Sequence, residues 1–562
     1  PLFYVKEVTI GTDVPVFDIP GVFGQKIESV TVDSQNNNYS SQDGVLFDKG
    51  VTRIIYYPTG RAGDYVIPDT VTAVGDRVFQ AKTGLTGITI GSNVKSIGES
   101  AFFGCSAMKF VKFTAVTEGS EKPALTIGKS AFRNCSGLQS IELPDHLVSI
   151  GAEAFYNCSK LTEVTVPEGV TEIGAGAFQS CSSLEKISLP KSLEKFGNDD
   201  NTAFNVFLNC KVLATVEIDK DNIHYAAIDN IIYQKSEKTV NGKTEYIPTK
   251  LLYCVIAKAG TTDAVIPDSV TEVGAGAFNN NSVVTSVTFG KVPAGEEFTV
   301  GDQAFSQCKA LKKISLPEGL TGIAENMFYY CTSIEEIVIP STVAKIENQA
   351  FYYCTSLSKL TFAPTPDGQE PVKLEILDAK SYSYAPFYGC KELKEITFPE
   401  RLTYIGSYAF GGSPATSNNH YAVYAYIEKV YLPSTLERIG FRAFNYADKL
   451  TTVKFAAGTV LKDLTDSKGN ISASAIGEYA FDHCSALTLL ELPAAKDSKY
   501  SIGKCAFQYA GLTELAVPAS VSSLGDYCFA RSKIAKLTFA DGAAPVINKG
   551  AFNAVSIETL VL

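Results

Sequence analysis

Residues 141–163 read IELPDHLVSIGAEAFYNCSKLTE, and residues 164–186, which follow directly, read VTVPEGVTEIGAGAFQSCSSLEK. With Ile, Val and Leu treated as equivalent, both stretches follow the pattern I-x-L-P-x-x-L-x-x-I-G-x-x-A-F-x-x-C-x-x-L-x-x over 23 residues. A pattern repeated at a fixed period is typical of a solenoid, in which each unit buries its apolar face only against its neighbours. Solenoids usually present extended surfaces, so the repeat favours a binding or structural protein over an enzyme.

The phenylalanine of the A-F pair counts the repeats. Seven of the 16 intervals between successive copies are 23 residues and one is 22; seven others range from 26 to 37, and the interval from Phe207 to Phe278 is 71. The core unit is therefore constant while the insertions vary, and Phe23 is a candidate for a degenerate eighteenth copy. The 17 clear copies are Phe79, Phe102, Phe132, Phe155, Phe178, Phe207, Phe278, Phe305, Phe328, Phe351, Phe387, Phe410, Phe444, Phe481, Phe507, Phe529 and Phe552.

The recurring positions predict one coil of a parallel β-solenoid. The segment containing Val164 and Val166 alternates apolar with polar residues and is rich in β-branched side chains, which indicates a short strand. Pro167 has no N–H to continue a ladder, so it marks the end of that strand. Gly174 in the I-G pair is expected to permit a turn with positive φ. The A-F-x-x-C segment predicts a short helical or 3-10 turn packed inside the coil, and stacked coils would place their strands about 4.8 Å apart.

This repeat resembles the leucine-rich repeat family, and most closely its BspA-like subtype from bacterial surface proteins. The resemblance covers roughly residues 60–562 and rests on the many copies of I-x-L-P…I-G-x-x-A-F-x-x-C. It implies a right-handed superhelix of about 17–18 coils, secretion or surface anchoring, and in some members adhesion to host proteins or other bacteria. It implies no particular ligand, because members share the core and differ at the exposed positions.

Two longer segments resemble each other and predict β-hairpin insertions in the solenoid. Residues 33–68 and 219–267 both contain N-x-x-Y, then D-G or D-N, two aromatic strands and a closing V-I-P. The Asn241-Gly242 pair is a good hairpin turn signal. Apolar strand residues such as Ile231 need a surface to cover, which favours a structural role over ligand binding. We therefore divide the chain into a degenerate repeat or cap at 1–32 and a solenoid with hairpin insertions at 33–562.

Charge and hydropathy exclude two classes of partner. The net charge of −11 and pI near 5.2 leave no basic stripe to neutralise phosphates, which argues against nucleic acid. No apolar run approaches the roughly 18 residues that a membrane helix needs. The chain begins at Pro1 without a signal peptide, so we expect a trimmed export signal and a surface or secreted location, and we expect a monomer.

The 13 cysteines are predicted to be reduced and buried rather than paired. A position used once per coil forms an inward column of small residues, and free cysteine packs well there. Equivalent side chains on successive coils point in parallel, which suits a disulfide poorly. Ten of the cysteines stand three residues after a repeat phenylalanine: Cys105, Cys135, Cys158, Cys181, Cys210, Cys308, Cys331, Cys354, Cys390 and Cys484.

No catalytic, cofactor or metal motif accompanies the repeat. The four histidines lie in unrelated repeat contexts, and the sequence contains no H-E-x-x-H, G-x-S-x-G, P-loop or C-x-x-C. The run Gly174-Ala175-Gly176 looks like part of a dinucleotide loop, but it is the repeat's own I-G-x-x-A-F. We therefore predict no enzyme activity, no cofactor and no metal.

Tyrosine provides the best candidate for a binding patch. The variable strand positions are mostly small and polar, such as Thr165 and Ser188, and the chain has no tryptophan, whereas interface hot spots favour Trp, Tyr and Arg. Of the 28 tyrosines, 14 fall within residues 329–446, several of them in insertions, where solenoids often place recognition. These rings can equally cover the core where coils are irregular, and both interpretations stay open. The candidate patch is Tyr382, Tyr384, Tyr421, Tyr424, Tyr426 and Tyr431.

Together these features predict an exported, non-enzymatic leucine-rich-repeat protein that binds a host or bacterial surface protein, or a glycan. The alternatives are a structural spacer and a glycan-binding module of a surface nutrient-uptake system.

Overall fold

Two strands per coil, one on each side of the repeat proline, form the walls of the solenoid. In the coil of Phe178 the first strand contains the buried Val164 and the second the buried Ile173, with Pro167 in the turn between them. The computed structural model describes residues 4–14, 26–115, 123–197, 205–240, 242–255, 262–293, 295–412, 426–468, 470–496 and 498–562. The sequence predicted the first of the two strands; the second, which ends at the I-G pair, was missed.

The chain forms two units, Pro1–Gly260 (unit 1) and Thr261–Leu562 (unit 2). The predicted cap at 1–32 stays a prediction, and Phe23 lies outside the described residues. The strands of unit 1 are β1 Glu7–Ile10, β2 Ser29–Val32, β3 Tyr39–Gln42, β4 Val45–Asp48, β5 Ile54–Tyr56, β6 Gly63–Val66, β7 Ala73–Val74, β8 Leu85–Ile90, β9 Ser96–Ile97, β10 Phe110–Phe113, β11 Leu125–Ile127, β12 Ser140–Ile141, β13 Leu147–Ile150, β14 Glu163–Thr165, β15 Glu172–Gly174, β16 Lys186–Leu189, β17 Lys195–Gly197, β18 Thr215–Ile218, β19 Tyr225–Ile228, β20 Ile231–Val240 and β21 Lys243–Cys254.

Unit 2 continues the same alternation of strands and turns. Its strands are β22 Asp263–Ile266, β23 Glu272–Val273, β24 Ser286–Phe289, β25 Thr299–Val300, β26 Lys313–Ser315, β27 Gly322–Ile323, β28 Glu336–Ile339, β29 Lys345–Ile346, β30 Lys359–Phe362, β31 Leu374–Ile376, β32 Glu395–Thr397, β33 Leu402–Ile405, β34 Lys429–Leu432, β35 Arg438–Ile439, β36 Thr452–Phe455, β37 Leu464–Thr465, β38 Ile471–Ala473, β39 Leu489–Glu491, β40 Tyr500–Ile502, β41 Glu514–Val517, β42 Val521–Leu524, β43 Lys536–Phe539, β44 Val546–Ile547 and β45 Thr559–Val561.

Strands of successive coils pair in parallel and place equivalent residues side by side. In unit 1, β14, β16 and β18 form one wall, with Val164 opposite Ile187, and β7 to β17 form the other through the odd-numbered strands. In unit 2, β32, β34, β36 and β39 form part of the first wall, and β27, β29, β31, β33 and β35 part of the second. The in-register pairing keeps apolar residues inside in every coil.

The segment around the repeat phenylalanine is a chain of turns rather than a helix. The N–H of Tyr156 donates within its own coil to the carbonyl of Glu153 at 3.0 Å, whereas the N–H of Phe155 donates to Ala177 in the next coil at 2.8 Å. Alternate amides thus bond inside the coil and between coils, which a helix, with all its bonds internal, could not do. Within the described residues, only Tyr382–Tyr384 forms a 3-10 helix.

Left-handed residues make this chain of turns possible. Glu153 and Asn157, two residues before and after Phe155, have φ of 55° and 57°. The predicted positive φ at Gly174 of the I-G pair is wrong. A Cβ on Gly174 would lie 2.5 Å from the backbone nitrogen of Ala152, so this glycine is needed because neighbouring coils approach closely.

The repeat phenylalanines stack face to face along the inside of each unit. In unit 1 the rings from Phe79 to Phe207 have centroids 4.7–6.2 Å apart. In unit 2 the rings from Phe278 to Phe552 have centroids 4.7–5.6 Å apart. The 34-residue interval between Phe410 and Phe444 leaves their spacing at 5.2 Å, so extra chain length between two repeats does not interrupt the phenylalanine column.

The cysteine column runs beside the phenylalanine column. Each of the ten ladder thiols donates a hydrogen bond to the carbonyl oxygen of the repeat phenylalanine in the preceding coil, at 3.0–3.3 Å. All 13 cysteines are free and buried. Burial raises the pKa of Cys210 and of Cys390 to about 12, which keeps both thiols protonated and able to donate.

The two insertions share a structural device. Asn36 accepts hydrogen bonds from the N–H groups of Asn38 and Tyr39, and Asn222 accepts them from His224 and Tyr225. Both asparagines are buried, and each fixes the turn that leads into an antiparallel strand. The antiparallel strands are β3, β4 and β5 in the first insertion and β19, β20 and β21 in the second. The N-x-x-Y motif therefore has a structural role, as the sequence indicated.

We expect Phe155→Ala to lower the free energy of unfolding by roughly 3–5 kcal/mol, because it removes a buried ring stacked on Phe132 and Phe178. Thr165→Ala, on the exposed side of β14, should change it by less than about 0.5 kcal/mol. Urea denaturation monitored by circular dichroism measures both. Equal effects would mean that the inside and outside of the coil are assigned wrongly.

We also expect nearly 13 free thiols in the denatured, unreduced protein and few reactive thiols in the native protein, because only exposed thiolates react readily. Titration with a chromogenic disulfide reagent, with and without denaturant, measures this. Fewer than about half of the thiols after denaturation would contradict the hydrogen-bonded column.

Candidate functional site

The residues next to the repeat phenylalanine carry most of the outward-facing aromatic rings of unit 2. Because each coil repeats the same turn, side chains at the same or nearby offsets from the phenylalanine form columns along successive coils. Three such columns contain aromatic residues, and they differ in how their rings meet.

The first column is a stacked tyrosine ladder. The ring of Tyr352 lies between those of Tyr329 and Tyr388, with centroids at 5.0 and 4.9 Å, and Tyr330 stacks on Tyr353 at 4.9 Å. Coil-to-coil stacking thus involves all five rings. Burial raises the pKa of the Tyr388 hydroxyl to about 12. Stacking covers the ring faces, so the ladder presents mainly ring edges to solvent.

A second column has the same character. His483 lies between Tyr446 and Tyr509, with ring centroids at 4.4 and 4.3 Å, and the Arg531 guanidinium lies 5.3 Å from the centre of the Tyr509 ring. Its ring faces are also occupied, and this column serves to join neighbouring coils.

The third column, which we call the aromatic row, is built differently. It consists of Tyr382, Tyr408, Phe441 and Tyr479, whose successive rings meet edge to face with centroids 5.3, 5.5 and 6.0 Å apart. All four are partly exposed. The Arg442 guanidinium lies 5.0 Å from the ring centres of both Phe441 and Tyr479. An edge-to-face row presents an uneven surface of ring edges, ring faces and hydroxyl groups.

Two of the predicted patch residues lie at one end of this row. Tyr382 and Tyr384 belong to the 3-10 helix that precedes Phe387. The ring of Tyr382 contacts Tyr408, and Tyr384 is 43% exposed. Both therefore lie on the surface rather than over the phenylalanine column.

The other predicted residues do not join them in the described part of the chain. Tyr426 lies between the ammonium groups of Lys394 and Lys449, which are 5.4 and 5.3 Å from its ring centre. Tyr431 is half-buried on β34, in register with Thr397 and Lys454. Among the described residues, no ring contact connects Tyr426 or Tyr431 to Tyr382. Tyr421 and Tyr424 lie outside the described residues.

A groove adjoins the aromatic row beneath a short hairpin that the sequence did not predict. The hairpin pairs β37 with β38 in antiparallel orientation. The groove, which we call the hairpin groove, has a volume of about 410 Å³. Its lining includes Asp378, Tyr404, Ser407, Arg438, Phe441, Ile471 and Glu478.

Asp378 is the most constrained polar group of the hairpin groove. Its Oδ1 accepts hydrogen bonds from the Tyr404 hydroxyl at 2.6 Å, the Ser407 N–H at 2.7 Å and the Ser407 hydroxyl at 2.6 Å. Burial by itself would raise the pKa of Asp378, but these bonds and the nearby Arg438 charge outweigh it and lower the pKa. The carboxylate is therefore ionised and fixed in one orientation.

A motif in the sequence could have revealed three of the four residues of the row. Residues 404–410 read YIGSYAF, 438–444 read RIGFRAF and 476–482 read IGEYAFD. The positions between I-G and A-F were treated as variable filler, but there they hold Tyr408, Phe441 and Tyr479. In unit 1 the copy at 150–155 reads IGAEAF, without an aromatic residue before the phenylalanine.

Arg401 is a buried cation with a structural role. It is 4% exposed, and its guanidinium donates to the carbonyls of Val343 and Pro340 at 2.5 and 2.8 Å, two coils away. In the preceding coil the insertion at 364–373 replaces the usual proline turn. The long side chain of Arg401 spans that coil and supplies the hydrogen bonds to backbone that the shorter Thr342 and Thr435 supply elsewhere.

The first-wall strands offer less for recognition. Their outward residues form ion pairs between coils, such as Lys429 with Glu395 at 3.6 Å and Lys536 with Glu514 at 3.3 Å. Exposed pairs of this kind contribute roughly 0–1 kcal/mol to stability. Val338 is the most exposed apolar residue of β28. This face has few of the rings that make strong contacts.

In the stretches that the structure describes, no three His, Cys, Asp or Glu side chains are grouped so that they could hold a metal ion. The same stretches contain no helix of the length and hydropathy that crossing a bilayer requires.

The coil geometry defines a leucine-rich-repeat solenoid, and the sequence assigns it to a family. The model of the BspA type leucine-rich repeat region matches in six copies, at residues 55–122, 112–238, 253–367, 378–421, 416–468 and 462–562. The chain belongs to this family, which confirms the predicted resemblance and the predicted fold class. No curated protein is a significant match to the sequence.

Several solved structures are similar to this chain. The pneumococcal vaccine antigen PcpA is 24% identical, with a TM-score of 0.50, over 70% of this chain and 93% of its own. A leucine-rich-repeat protein from Bacteroides ovatus is 24% identical, with a TM-score of 0.41, over 75% of this chain and 97% of its own. A leucine-rich cell surface protein from Faecalibacterium prausnitzii is 22% identical, with a TM-score of 0.38, over 76% of this chain and 96% of its own.

Proposed function

We propose that this chain is an exported, non-enzymatic binding protein that attaches to a protein partner through the aromatic row and Tyr384. The observation that carries the proposal is the edge-to-face row Tyr382–Tyr408–Phe441–Tyr479 with Arg442 beside it. Tyrosine and arginine are the residues in which interface hot spots are enriched.

The dimensions of the row suit a protein partner. Its centroid spacings of 5.3, 5.5 and 6.0 Å extend across successive coils, and Tyr384 and the hairpin groove lie beside it. A standard interface buries about 800 Å² on each partner and needs a central cluster of anchors surrounded by polar residues. The row supplies rings of low side-chain entropy for such a cluster.

The export component rests on the family and on its surface-protein relatives. Expression of the complete gene followed by cell fractionation tests it, and recovery of the protein only from the cytoplasm would contradict it. The non-enzymatic component rests on the repeat scaffold, because solenoids usually present extended binding surfaces.

The partner is to be sought with the full chain against immobilised host matrix proteins, bacterial surface proteins and a glycan array. A saturable protein ligand supports the proposal. Binding confined to glycans would instead favour the glycan-module alternative, and no ligand in any panel would favour the spacer.

With a protein ligand in hand, Tyr382→Ser combined with Tyr384→Ser should weaken binding at least tenfold, or about 1.4 kcal/mol. The melting temperature should change little, because neither ring belongs to the phenylalanine column. Surface plasmon resonance and thermal denaturation measure the two effects. Tyr156→Ser is the matched control, a partly exposed tyrosine of unit 1 outside the row.

A large drop in melting temperature would show that Tyr382 and Tyr384 cover the core. Unchanged affinity with unchanged stability would remove the row from the binding surface.

A further inference from the structure

The hairpin groove has a chemistry that the aromatic row lacks, and we propose that it binds an extended peptide segment of the partner through that segment's backbone. The inference rests on the proposed function and specifies how the partner is held. The groove borders the row through Phe441, which belongs to both.

A free hydrogen-bond acceptor lies on one side of the groove. All three donors to Asp378 bond to Oδ1, and among the described residues Oδ2 accepts no hydrogen bond. The carboxylate cannot turn without losing those three bonds, so Oδ2 is held ready for a donor from outside. Glu478 supplies a second exposed carboxylate in the lining.

A free donor group lies beside the acceptor. The Arg438 guanidinium is held over the Tyr404 ring at 4.3 Å and forms no hydrogen bond or ion pair within the described ranges. Guanidinium carries five N–H donors and no acceptor. The groove thus combines a fixed acceptor and a fixed donor group and has charges of both signs. That combination suits a neutral ligand group that both donates and accepts.

The peptide unit is such a group. Each residue of an extended segment offers one N–H and one C=O, so the N–H can donate to Asp378 and the carbonyl can accept from Arg438. Ile471, 52% exposed at the rim, and Phe441 provide apolar contact for the segment's side chains. A volume of about 410 Å³ is in the range of ligand pockets, about 300–1,000 Å³.

The groove is less suited to a sugar. Pyranose rings pack on flat aromatic faces, but Arg438 lies over the face of Tyr404 and Arg442 lies 5.0 Å from the ring centre of Phe441. The aromatic faces that line the groove are therefore already in contact with guanidinium groups. Hydroxyl groups could still bond to Asp378, which is why glycans belong in the test.

The test uses the full chain and a positional-scanning library of fluorescent heptapeptides with acetylated and amidated ends, read by fluorescence anisotropy. Capped ends remove terminal charges, so binding reports the backbone and side chains. We expect binding peptides with an apolar residue at one or more positions. N-methylation of the amide that reaches Asp378 should weaken the best peptide at least tenfold.

Asp378→Asn should weaken the same peptide at least tenfold. It retains the oxygen that Tyr404 and Ser407 bond to and replaces the free acceptor with a donor. Arg438→Gln should have a similar effect. Glu392→Gln is the matched control, an exposed carboxylate of unit 2 outside the groove, and should leave affinity unchanged within twofold.

The inference is overturned if no capped peptide binds, if N-methylation at every position is tolerated, if Asp378→Asn binds the peptide normally, or if a glycan competes for the groove. If Asp378→Asn unfolds the protein, Arg438→Gln and the N-methylated peptides test the inference in its place. Suppose that the Tyr382 and Tyr384 variant loses partner binding but no peptide binds the chain. Peptide binding by the hairpin groove would then be refuted, and the proposed function would be retained. Peptide binding that depends on Asp378, with the tyrosine variant normal, would refute the row instead.

Discussion

The hydrogen bonds between the backbones of successive coils are the constraint on which the structure depends. They hold neighbouring strands about 4.8 Å apart, and the turn around Phe155 follows the same spacing through bonds such as the one from its N–H to Ala177. At that distance there is no room for a Cβ on Gly174. The same distance brings the phenylalanine rings into stacking contact and the cysteine thiols within reach of the preceding coil's carbonyls. The glycine, phenylalanine and cysteine that recur in the 23-residue pattern are therefore residues that fit this spacing between coils.

The same spacing determines which surfaces can bind. Side chains at one offset from the phenylalanine meet the equivalent side chain of the next coil, and planar residues then tend to stack, as Tyr329, Tyr352 and Tyr388 do. Stacking strengthens the solenoid but covers the ring faces. The aromatic row avoids this outcome because Phe441 is displaced by one position relative to Tyr408 and Tyr479, and its neighbours then meet it edge to face. A ring that stacks on the neighbouring coil cannot also offer its face to a binding partner.

The inside of the coil could be predicted from the sequence because the buried residues make the same contacts in every copy of the repeat. The positions of Phe155, Val164 and Cys158 follow from period and residue type alone. The second strand was missed because in most copies it is only two to four residues long. The turn was taken for helix because residue types cannot show that alternate amides bond to another coil.

The candidate site was harder to predict because it depends on residues that the repeat pattern does not fix. Tyr382 was identified from tyrosine density, but its neighbours Tyr408 and Tyr479 lie in the repeat itself and not in an insertion. Asp378 gains its character from Ser407 and Tyr404, which are 29 and 26 residues away in sequence. No local pattern could reveal that arrangement, since it exists only when two coils are stacked.

The left-handed residues on either side of the repeat phenylalanine have a consequence for protein engineering. In the described part of unit 1 those positions hold Arg, Ala, Ser, Asn, Glu or Gly, whereas in unit 2 seven of them hold tyrosine: Tyr330, Tyr353, Tyr408, Tyr446, Tyr479, Tyr509 and Tyr527. The backbone thus accepts side chains as different as serine, arginine and tyrosine at two positions per coil without losing its register. A library randomised only there would vary a continuous surface while leaving the core untouched. The described copies of unit 1 hold no tyrosine at these positions and offer a template for such a library, whereas unit 2 shows that several of them can hold tyrosine.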